Sequence, residues 1–408
     1  VIGPDHGGAI TEFPFFTFLY GDLHAHFIVL PLTLLALGWG ISLILQRWEE
    51  KLSWSRSLWI LLLGGLIVGA LRPTNTWDFY PYLALGIVAI IYSFWRKYQE
   101  KGIKNHLVFL GILFGSILIF VVTAHFFYYP FAQWYGQGYT KIAIWKGTHT
   151  PLGDYLTHWG LFLFVLTSWM LYETIDWMAK TPLSALRKLE PHRELILALL
   201  LLTLIILIVL GVDFPPPEGG EEFSLFGLGV HVVWIAFPLM IWAGVLLLKT
   251  DFTVPKRIVL FLSGTALALT LMVEIVVLQG DIGRMNTVFK FYLQAWTMLA
   301  ISSAASFGWL FFSLGRWPIK ISNFWQVILA LLVGATALYP FLGGMTKIED
   351  RMAMQAPHTL DGMEYMRYAE YNDLGTIMDL SQDYRAIRWL QDNVEGSPVI
   401  VEANQVEY

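Results

Sequence analysis

Long apolar stretches separated by short polar loops dominate the hydropathy pattern of this chain. A helix that crosses the hydrocarbon core of a bilayer needs about 20 largely apolar residues, and ten windows approach that length. They lie at about 26–45, 57–72, 77–95, 107–128, 156–175, 194–212, 228–248, 258–278, 291–313 and 324–343. The pattern therefore predicts an all-α polytopic membrane protein with about ten transmembrane helices.

The polarity of the chain changes after the last window. Hydrophobicity falls after Gly344, residues 383–393 have the spacing of an amphipathic helix, and residues 398–403 (PVIVEA) favour a buried strand. One helix and one strand cannot close a hydrophobic core. We therefore predict a transmembrane domain at residues 1–344, beginning with an outer loop at 1–25, and the start of a truncated extracytoplasmic α/β domain at residues 345–408.

Composition supports a chain that faces lipid. Of its 408 residues, 56% are hydrophobic and only 14% are charged, whereas about 25% of residues are charged in soluble domains. The small net charge of −5 argues against a nucleic-acid partner. The absence of cysteine excludes disulfides, thiolate metal sites and cysteine nucleophiles. The bilayer itself is thus the first predicted partner.

Lysine and arginine are distributed unequally between alternate loops. One set of loops carries basic clusters, such as those at 96–104 and 180–193, and the other set carries few cations. The cations of the second set are Arg72, Lys141, Lys146, Arg284 and Lys290. Because cytoplasmic loops are enriched in Lys and Arg, we predict a plasma-membrane protein whose N-terminal segment and C-terminal tail are extracytoplasmic. The cytoplasmic loops are then short basic connectors.

The segment before the first predicted span, PDHGGAITEFPFFTFLYGDLHAHFIVLP, concentrates ionisable side chains. Glu12, Asp22 and Asp5 are catalytic candidates, because a carboxylate at the membrane surface can act as a general base. Asp22, His24 and His26 alternate, so an extended segment presents them on one face. This set predicts a divalent metal ion, Mg²⁺ or Mn²⁺. The alternative is an interfacial loop in which Asp22 caps the following helix.

A second polar segment, LRPTNTWDFYPY, joins the second and third windows. Asp78 lies about one turn inside a span, where an unpaired charge costs several kcal/mol. Arg72 is the nearest candidate for its partner, and we include both residues in a predicted substrate site. The alternative is structural, with helix caps at Thr74–Thr76 and an aromatic interfacial belt.

A third polar segment, QGDIGRMNTVFKFY, places cations on the predicted outer side. Arg284 offers a planar fork for phosphate and Lys290 a point charge. We therefore predict that they bind the phosphate of an anionic lipid together with Asn286 and Asp281. Glu274, about one turn earlier, is expected to face the same cavity. The alternative is snorkelling of both cations to the interface.

Three motifs together resemble a known family. EFPFFTFLYGDLHAH, NTWDFYPY and RMNTVFKFYLQAW occur in this order and resemble the "Chlor_Arch_YYY" multi-span membrane proteins, whose function is unknown. More distantly, the layout is similar to GT-C glycosyltransferases. That resemblance implies a polyprenyl-phosphate sugar donor and a catalytic carboxylate among Asp5, Glu12 and Asp22. The chain departs from the GT-C pattern because it lacks the usual adjacent Asp–Glu pair.

The leading functional prediction is sugar transfer from a polyprenyl-phosphate donor to a glycan, lipid or protein acceptor on the extracytoplasmic face. Two alternatives stay open. A transporter or channel would carry ionisable residues in the middle of its spans, whereas here they lie near the ends. A non-enzymatic scaffold or receptor would tolerate substitution of the outer charges.

Overall fold

The computed structural model describes residues 11–21, 24–46, 54–101, 105–136, 141–212, 229–281, 283–373 and 375–401. The chain forms two compact units, residues 1–333 and 334–408, and each is described by itself.

The first unit is built from helices. Two short 3-10 helices, Leu183–His192 and Leu314–Arg316, connect longer ones. The α-helices are α1 (Pro14–Tyr20), α2 (Ala25–Leu45), α3 (Trp54–Thr74), α4 (Thr76–Lys101), α5 (His106–Phe126), α6 (Tyr129–Trp134), α7 (Leu152–Lys180), α8 (Arg193–Gly211), α9 (Val233–Leu247), α10 (Val254–Ile275), α11 (Met285–Ser313) and α12 (Ile319–Leu338). The last five residues of α12 belong to the second unit.

Eight helices in the described ranges are long and apolar enough to cross a membrane. They correspond to α2, α3, α4, α5, α8, α10, α11 and α12, where α8, α11 and α12 are extended by adjoining helical residues. The apolar α9 is shorter, and α7 has 29 residues. Each of the ten predicted windows therefore coincides with a helix, and the prediction of an all-α polytopic membrane protein is confirmed.

The helices of the first unit pack in two groups. α3 packs against α5 and α2, and α2 packs against α4; in the second group α10 packs against α9 and α11, and α11 against α7. The groups meet where α2 contacts α10 and α4 contacts α11. Among the long helices, α8 packs mainly against α9, and its leucines are exposed, as expected for an almost pure Leu/Ile helix that faces lipid.

A short two-stranded antiparallel sheet was not among the predicted elements. Residues 276–278, the end of the predicted eighth window, form strand β2 (Val276–Leu278), which pairs antiparallel with β1 (Ile142–Ile144). The register places Ile142 opposite Leu278. The β-branched residues at 276 and 277 favour a strand once the helix has ended. The pairing holds the loop before α7 against the end of α10.

The second unit contains helix α13 (Gly344–Arg351), a hairpin of β3 (Glu370–Asp373) and β4 (Thr376–Asp379), and helix α14 (Ser381–Asn393). The predicted amphipathic helix at 383–393 is confirmed as part of α14. Asp379 accepts bonds from the Ser381 hydroxyl and N–H, which hold the pKa of that carboxyl below its usual range. The predicted strand at 398–403 is absent over its described residues, 398–401.

Candidate functional site

A small polar cavity lies where α2, α4 and α11 meet. Its volume is about 10 Å³, which is space for about one water molecule. We call it the Asp78 pocket. Its polar lining residues are His26, Thr33, Asn75, Asp78, Tyr82, Lys290, Gln294 and Thr297.

Helix α4 brings Asp78 to this cavity. Pro73 lies in the last turn of α3, and Asn75 alone separates α3 from α4. The Asn75 carbonyl accepts the Asp78 N–H at 3.0 Å, and the Asn75 side-chain amide donates to the Asp78 carboxylate at 2.6 Å. Asp78 is thereby bonded to Asn75 rather than to Arg72, whose guanidinium stacks 5.8 Å from the Phe79 ring centroid. The break at Asn75 separates Arg72 and Asp78 onto different helices.

Helix α11 supplies the opposite wall. Lys290, Gln294 and Thr297 recur at helical spacing, so they share one face of α11. The Gln294 amide donates to the carbonyl of Trp77 at 3.2 Å. This bond fixes the first turn of α4 against α11 and places Asp78 beside the Lys290 side chain in the cavity.

The third wall is the start of α2, which carries His26. His26 is buried, and its Nε2 lies 3.1 Å from the Glu12 carboxylate. The hydroxyl of Thr17 donates to the same Glu12 oxygen at 3.1 Å. The His24 and His26 rings lie 5.3 Å apart, and Phe289 packs edge-on against His26. Glu12 therefore orients the imidazole that faces the cavity.

Three buried polar atoms of the Asp78 pocket have no hydrogen-bond partner among the described residues: His26 Nδ1, the Tyr82 hydroxyl and Gln294 Oε1. Leaving a buried polar group unbonded costs about 1–3 kcal/mol, so such groups are rare in folded proteins. All three residues line the same cavity. Their convergence indicates a place that a water molecule or a polar substrate group completes.

A second buried charged group, the Glu274 cluster, consists of Glu274, Arg284 and Thr150. Glu274 is fully buried and lies 2.6 Å from the Arg284 guanidinium. Thr150 donates to Glu274 from both its N–H (3.0 Å) and its hydroxyl (2.6 Å). Arg284 also donates to the Val273 carbonyl and the Thr150 hydroxyl. Glu274 and Arg284 thus lie close together, as predicted. They form an ion pair, and each also has hydrogen bonds to other groups.

One tryptophan and one histidine lie beside the Glu274 cluster. The Arg284 guanidinium lies 5.7 Å from the Trp145 ring centroid. His149 Nδ1 is 3.4 Å from Glu274, within reach of an ion pair but without hydrogen-bond geometry. His149 follows β1 and Arg284 follows β2. The cluster therefore ties the loop before α7 to the α10–α11 connection.

Asp281 and Asn286, both predicted to bind phosphate, lie in a helix cap. The Asp281 carboxylate accepts the Asn286 N–H at 3.1 Å and its side-chain amide at 3.0 Å. It also accepts the Thr287 N–H and hydroxyl, each at 2.8 Å. These bonds satisfy N–H groups that the first turn of α11 would otherwise leave unbonded. In this conformation the start of α11 is occupied by the protein's own carboxylate.

The predicted site residues therefore separate into two groups. Glu12, His24, His26, Asp78 and Lys290 come together at the Asp78 pocket, whereas Arg284, Asp281 and Asn286 bond within the α10–α11 connection. Asp5 and Asp22 lie outside the described residues.

The predicted divalent metal ion stays a prediction. The described ranges contain no group of three or more His, Asp or Glu side chains arranged to hold a metal. The predicted ligand set includes Asp22, which those ranges leave out.

One charged group was missed by the sequence interpretation. Lys249 and Lys256, assigned to basic connectors, converge on Glu173 of α7, which is almost fully buried. Lys249 lies 3.5 Å from both Glu173 and Asp176. We call this set the Glu173 cluster. The signal was present in the sequence, because Glu173 falls inside the predicted window 156–175, where a carboxylate needs a partner.

The comparisons with known proteins identify a family and no more. No curated protein and no solved structure matches the chain. A family described as uncharacterized membrane protein (DUF2298) matches residues 1–299, which include α1–α10 and the first half of α11, and so both the Asp78 pocket and the Glu274 cluster. The chain belongs to this family of uncharacterised multi-span membrane proteins.

Proposed function

We propose that this protein is a membrane enzyme that transfers a sugar from a polyprenyl-phosphate donor to a hydroxyl acceptor on the extracytoplasmic face, with the Asp78 pocket as its active site. One observation carries the proposal. A carboxylate, an imidazole and an ammonium group line one cavity, in which three buried polar atoms have no partner among the described residues. Buried polar groups that lack a partner are rare, and a cavity that gathers several of them is a candidate functional site.

The Glu12–His26 pair suits general base catalysis. Glu12 holds His26 through Nε2, which leaves Nδ1 as the nitrogen that can accept a proton. In the proposed reaction, the acceptor hydroxyl gives its proton to His26 Nδ1 as its oxygen attacks the anomeric carbon. The bond from that carbon to the phosphate oxygen breaks, and its electron pair leaves with the phosphate. The product has the inverted configuration.

The other polar groups of the pocket would bind and orient substrate. Lys290 places positive charge where the departing phosphate gains negative charge. Asp78 and Gln294 offer acceptors for sugar hydroxyl groups, and the Tyr82 hydroxyl offers a donor. Glu12, Asp22 and Asp5 stay as alternative candidates for the base. In that alternative His26 does not accept the proton, and a divalent ion held by Asp22, His24 and His26 would assist the phosphate.

The cavity is nearly closed in this conformation. A sugar needs far more room than one water molecule, so substrate binding requires the walls of the pocket to move apart. The segment that carries Glu12 and Thr17, which packs against the start of α2, is our candidate for this movement. That segment is attached there through the Glu12–His26 contact and the packing of Phe18 on Phe27. Exclusion of water by its return would favour transfer over hydrolysis.

The activity test uses the purified protein in nanodiscs with polyprenyl-phosphate-linked hexoses, and mass spectrometry detects released polyprenyl phosphate. Removing a general base costs about 10²–10⁴-fold in rate, so His26→Gln is expected to lose at least about 100-fold. Asp78→Asn is expected to lose a similar amount. His106→Gln and Asp154→Asn are matched controls outside the pocket and should keep the rate.

Retention of full activity by both His26→Gln and Asp78→Asn would refute the site. Failure of the unmodified protein to consume any of the donors would refute the reaction.

The proposed orientation has a separate test. Because the chain has no cysteine, single cysteines can be introduced at exposed positions without background labelling. Trp134 and Leu183 are 88% and 84% exposed, and the charge bias of the loops places them on opposite sides. We expect a membrane-impermeant maleimide added to intact cells to label Trp134→Cys but not Leu183→Cys. The reverse result would place the Asp78 pocket on the cytoplasmic face.

A further inference from the structure

A long apolar cleft runs between α4 and α10, beside the Asp78 pocket. One half has a volume of about 450 Å³ and the other about 620 Å³. Leu85, Val88 and Phe261 line both halves, so the two halves are adjacent along the helices. We call it the α4–α10 cleft.

The cleft is about as long as the hydrocarbon core of a bilayer is thick. Its lining on α4 extends from Trp77 to Trp95, and at 1.5 Å per residue this distance is about 27 Å. The hydrocarbon core of a bilayer is about 30 Å thick. The cleft therefore follows the apolar depth of the membrane from one end to the other.

The cleft is open to the side. Val88 and Ile91 on α4 and Phe261 on α10 are between 37% and 43% exposed, although all three line it. Behind them, small residues such as Ala36 and Gly40 of α2 leave the space unfilled. Because the opening faces the bilayer rather than water, a hydrocarbon chain can enter it sideways without crossing a polar barrier.

Two features connect the cleft with the Asp78 pocket. Tyr82 lines both cavities, and its hydroxyl is one of the unpartnered atoms of the pocket. Trp77, at one end of the cleft, directly precedes Asp78 and accepts the hydrogen bond from Gln294 of the pocket. At the same end, the exposed Lys141 lines the cleft and offers a positive charge.

We propose that the α4–α10 cleft binds the single isoprenoid chain of a polyprenyl phosphate, whose head group leaves the cleft at the end formed by Trp77 and Lys141. Lys141 attracts the phosphate there, and Lys290 of the adjoining Asp78 pocket stabilises it during transfer. The identity of the lipid rests on the proposed function, whereas the binding itself does not require catalysis. One cleft accommodates one long chain. Its other half is lined by Arg257, which is bonded to the backbone carbonyls of Phe252, Leu247 and Lys249, so Lys141 is the cation that we assign to the phosphate. A diacyl phospholipid would place only one of its two chains there.

The test measures binding of undecaprenyl phosphate carrying a photoreactive group on its chain, to the full chain in nanodiscs. Val88→Trp places a large ring at the junction of the two halves. We expect binding about tenfold weaker, and crosslinks on peptides of α4 and α10 in the unmodified protein. Val122→Trp is the matched control, because Val122 is a 51% exposed residue of α5 that lies outside the cleft.

The phosphate end is tested by Lys141→Gln, which should weaken binding of undecaprenyl phosphate but not of undecaprenol. Lys146→Gln is its control. Equal binding by Val88→Trp and Val122→Trp would overturn the proposal, as would equal competition by dioleoyl phosphatidic acid. Normal lipid binding together with unimpaired transfer by both His26→Gln and Asp78→Asn would refute the proposed active site and leave the cleft proposal standing.

Discussion

The Asp78 pocket and the Glu274 cluster both bury charged side chains beside α11, but they differ in how those charges are satisfied. In the Glu274 cluster, the carboxylate accepts from Arg284 and twice from Thr150, and the guanidinium has a further carbonyl partner. In the Asp78 pocket, Asn75 bonds the carboxylate, while three neighbouring polar atoms have no partner among the described residues.

This difference separates a structural role from a chemical one. A buried ion pair is tolerable when its donors and acceptors are bonded. In the Glu274 cluster, both carboxylate oxygens and both terminal guanidinium nitrogens have partners, at the point where the β1–β2 pairing joins α10 and α11. An incompletely bonded polar cavity lowers stability, so its presence favours a use in binding or catalysis. The comparison therefore supports the chemical roles that we propose for His26 and Asp78 and a structural role for Arg284.

The largest expected effect is a difference in stability between a variant of the Glu274 cluster and a variant of the Asp78 pocket. Glu274→Gln leaves the buried Arg284 guanidinium without its counter-ion, and removing one partner of such a pair costs about 3–5 kcal/mol. Asp78→Asn removes a buried charge and keeps a side chain that can bond Asn75, so its stability should stay within about 1 kcal/mol of the unmodified protein. Thermal unfolding in the same detergent measures both.

The double variant Glu274→Gln with Arg284→Met is the control for that comparison. It removes both charges, so it should recover much of the stability lost in Glu274→Gln. If Glu274→Gln unfolds at the same temperature as the unmodified protein, the pair is not structural. Arg284 would then return to the list of phosphate ligands.

The transmembrane fold could be predicted from the sequence because hydropathy acts locally. Each span must satisfy its own backbone within one helix, so a window such as 194–212 contains the information for α8. Residues 276–278 show the limit of this argument. They are as apolar as the helix before them, and only pairing with residues 142–144, more than a hundred positions earlier, makes them a strand.

The candidate site was predictable in part for the same reason. Glu12, His24 and His26 are neighbours in sequence, and their contacts arise within one segment. The meeting of Asp78 with Lys290 depends on how α4 packs against α11, which composition does not encode. The contributions of Tyr82 and Gln294 to the pocket were not predicted. A single polar side chain in an apolar span has no periodic pattern that distinguishes a buried site from an interfacial belt.

A smaller expected effect concerns the start of α11, which supports both regions. If Asp281 is a cap, Asp281→Ala removes four hydrogen bonds from the first turn, at an expected cost of about 1–2 kcal/mol. Amide hydrogen exchange near residues 286–290 should then accelerate. Asp281→Asn keeps one acceptor oxygen and should restore part of the protection. Asp154→Ala, in the first turn of α7, is the matched control and should change exchange there only slightly.

The same variant decides between the two interpretations of this segment. If Asp281 acts only through the helix, Asp281→Ala should loosen α11 while binding of undecaprenyl phosphate changes little, because the chain is held in the α4–α10 cleft. Unchanged exchange together with impaired phosphate binding would show the opposite, that Asp281 and Asn286 contact the donor. In that case the fully bonded side of α11 would be part of the active site, and a satisfied hydrogen-bond network would no longer identify a structural role in this protein.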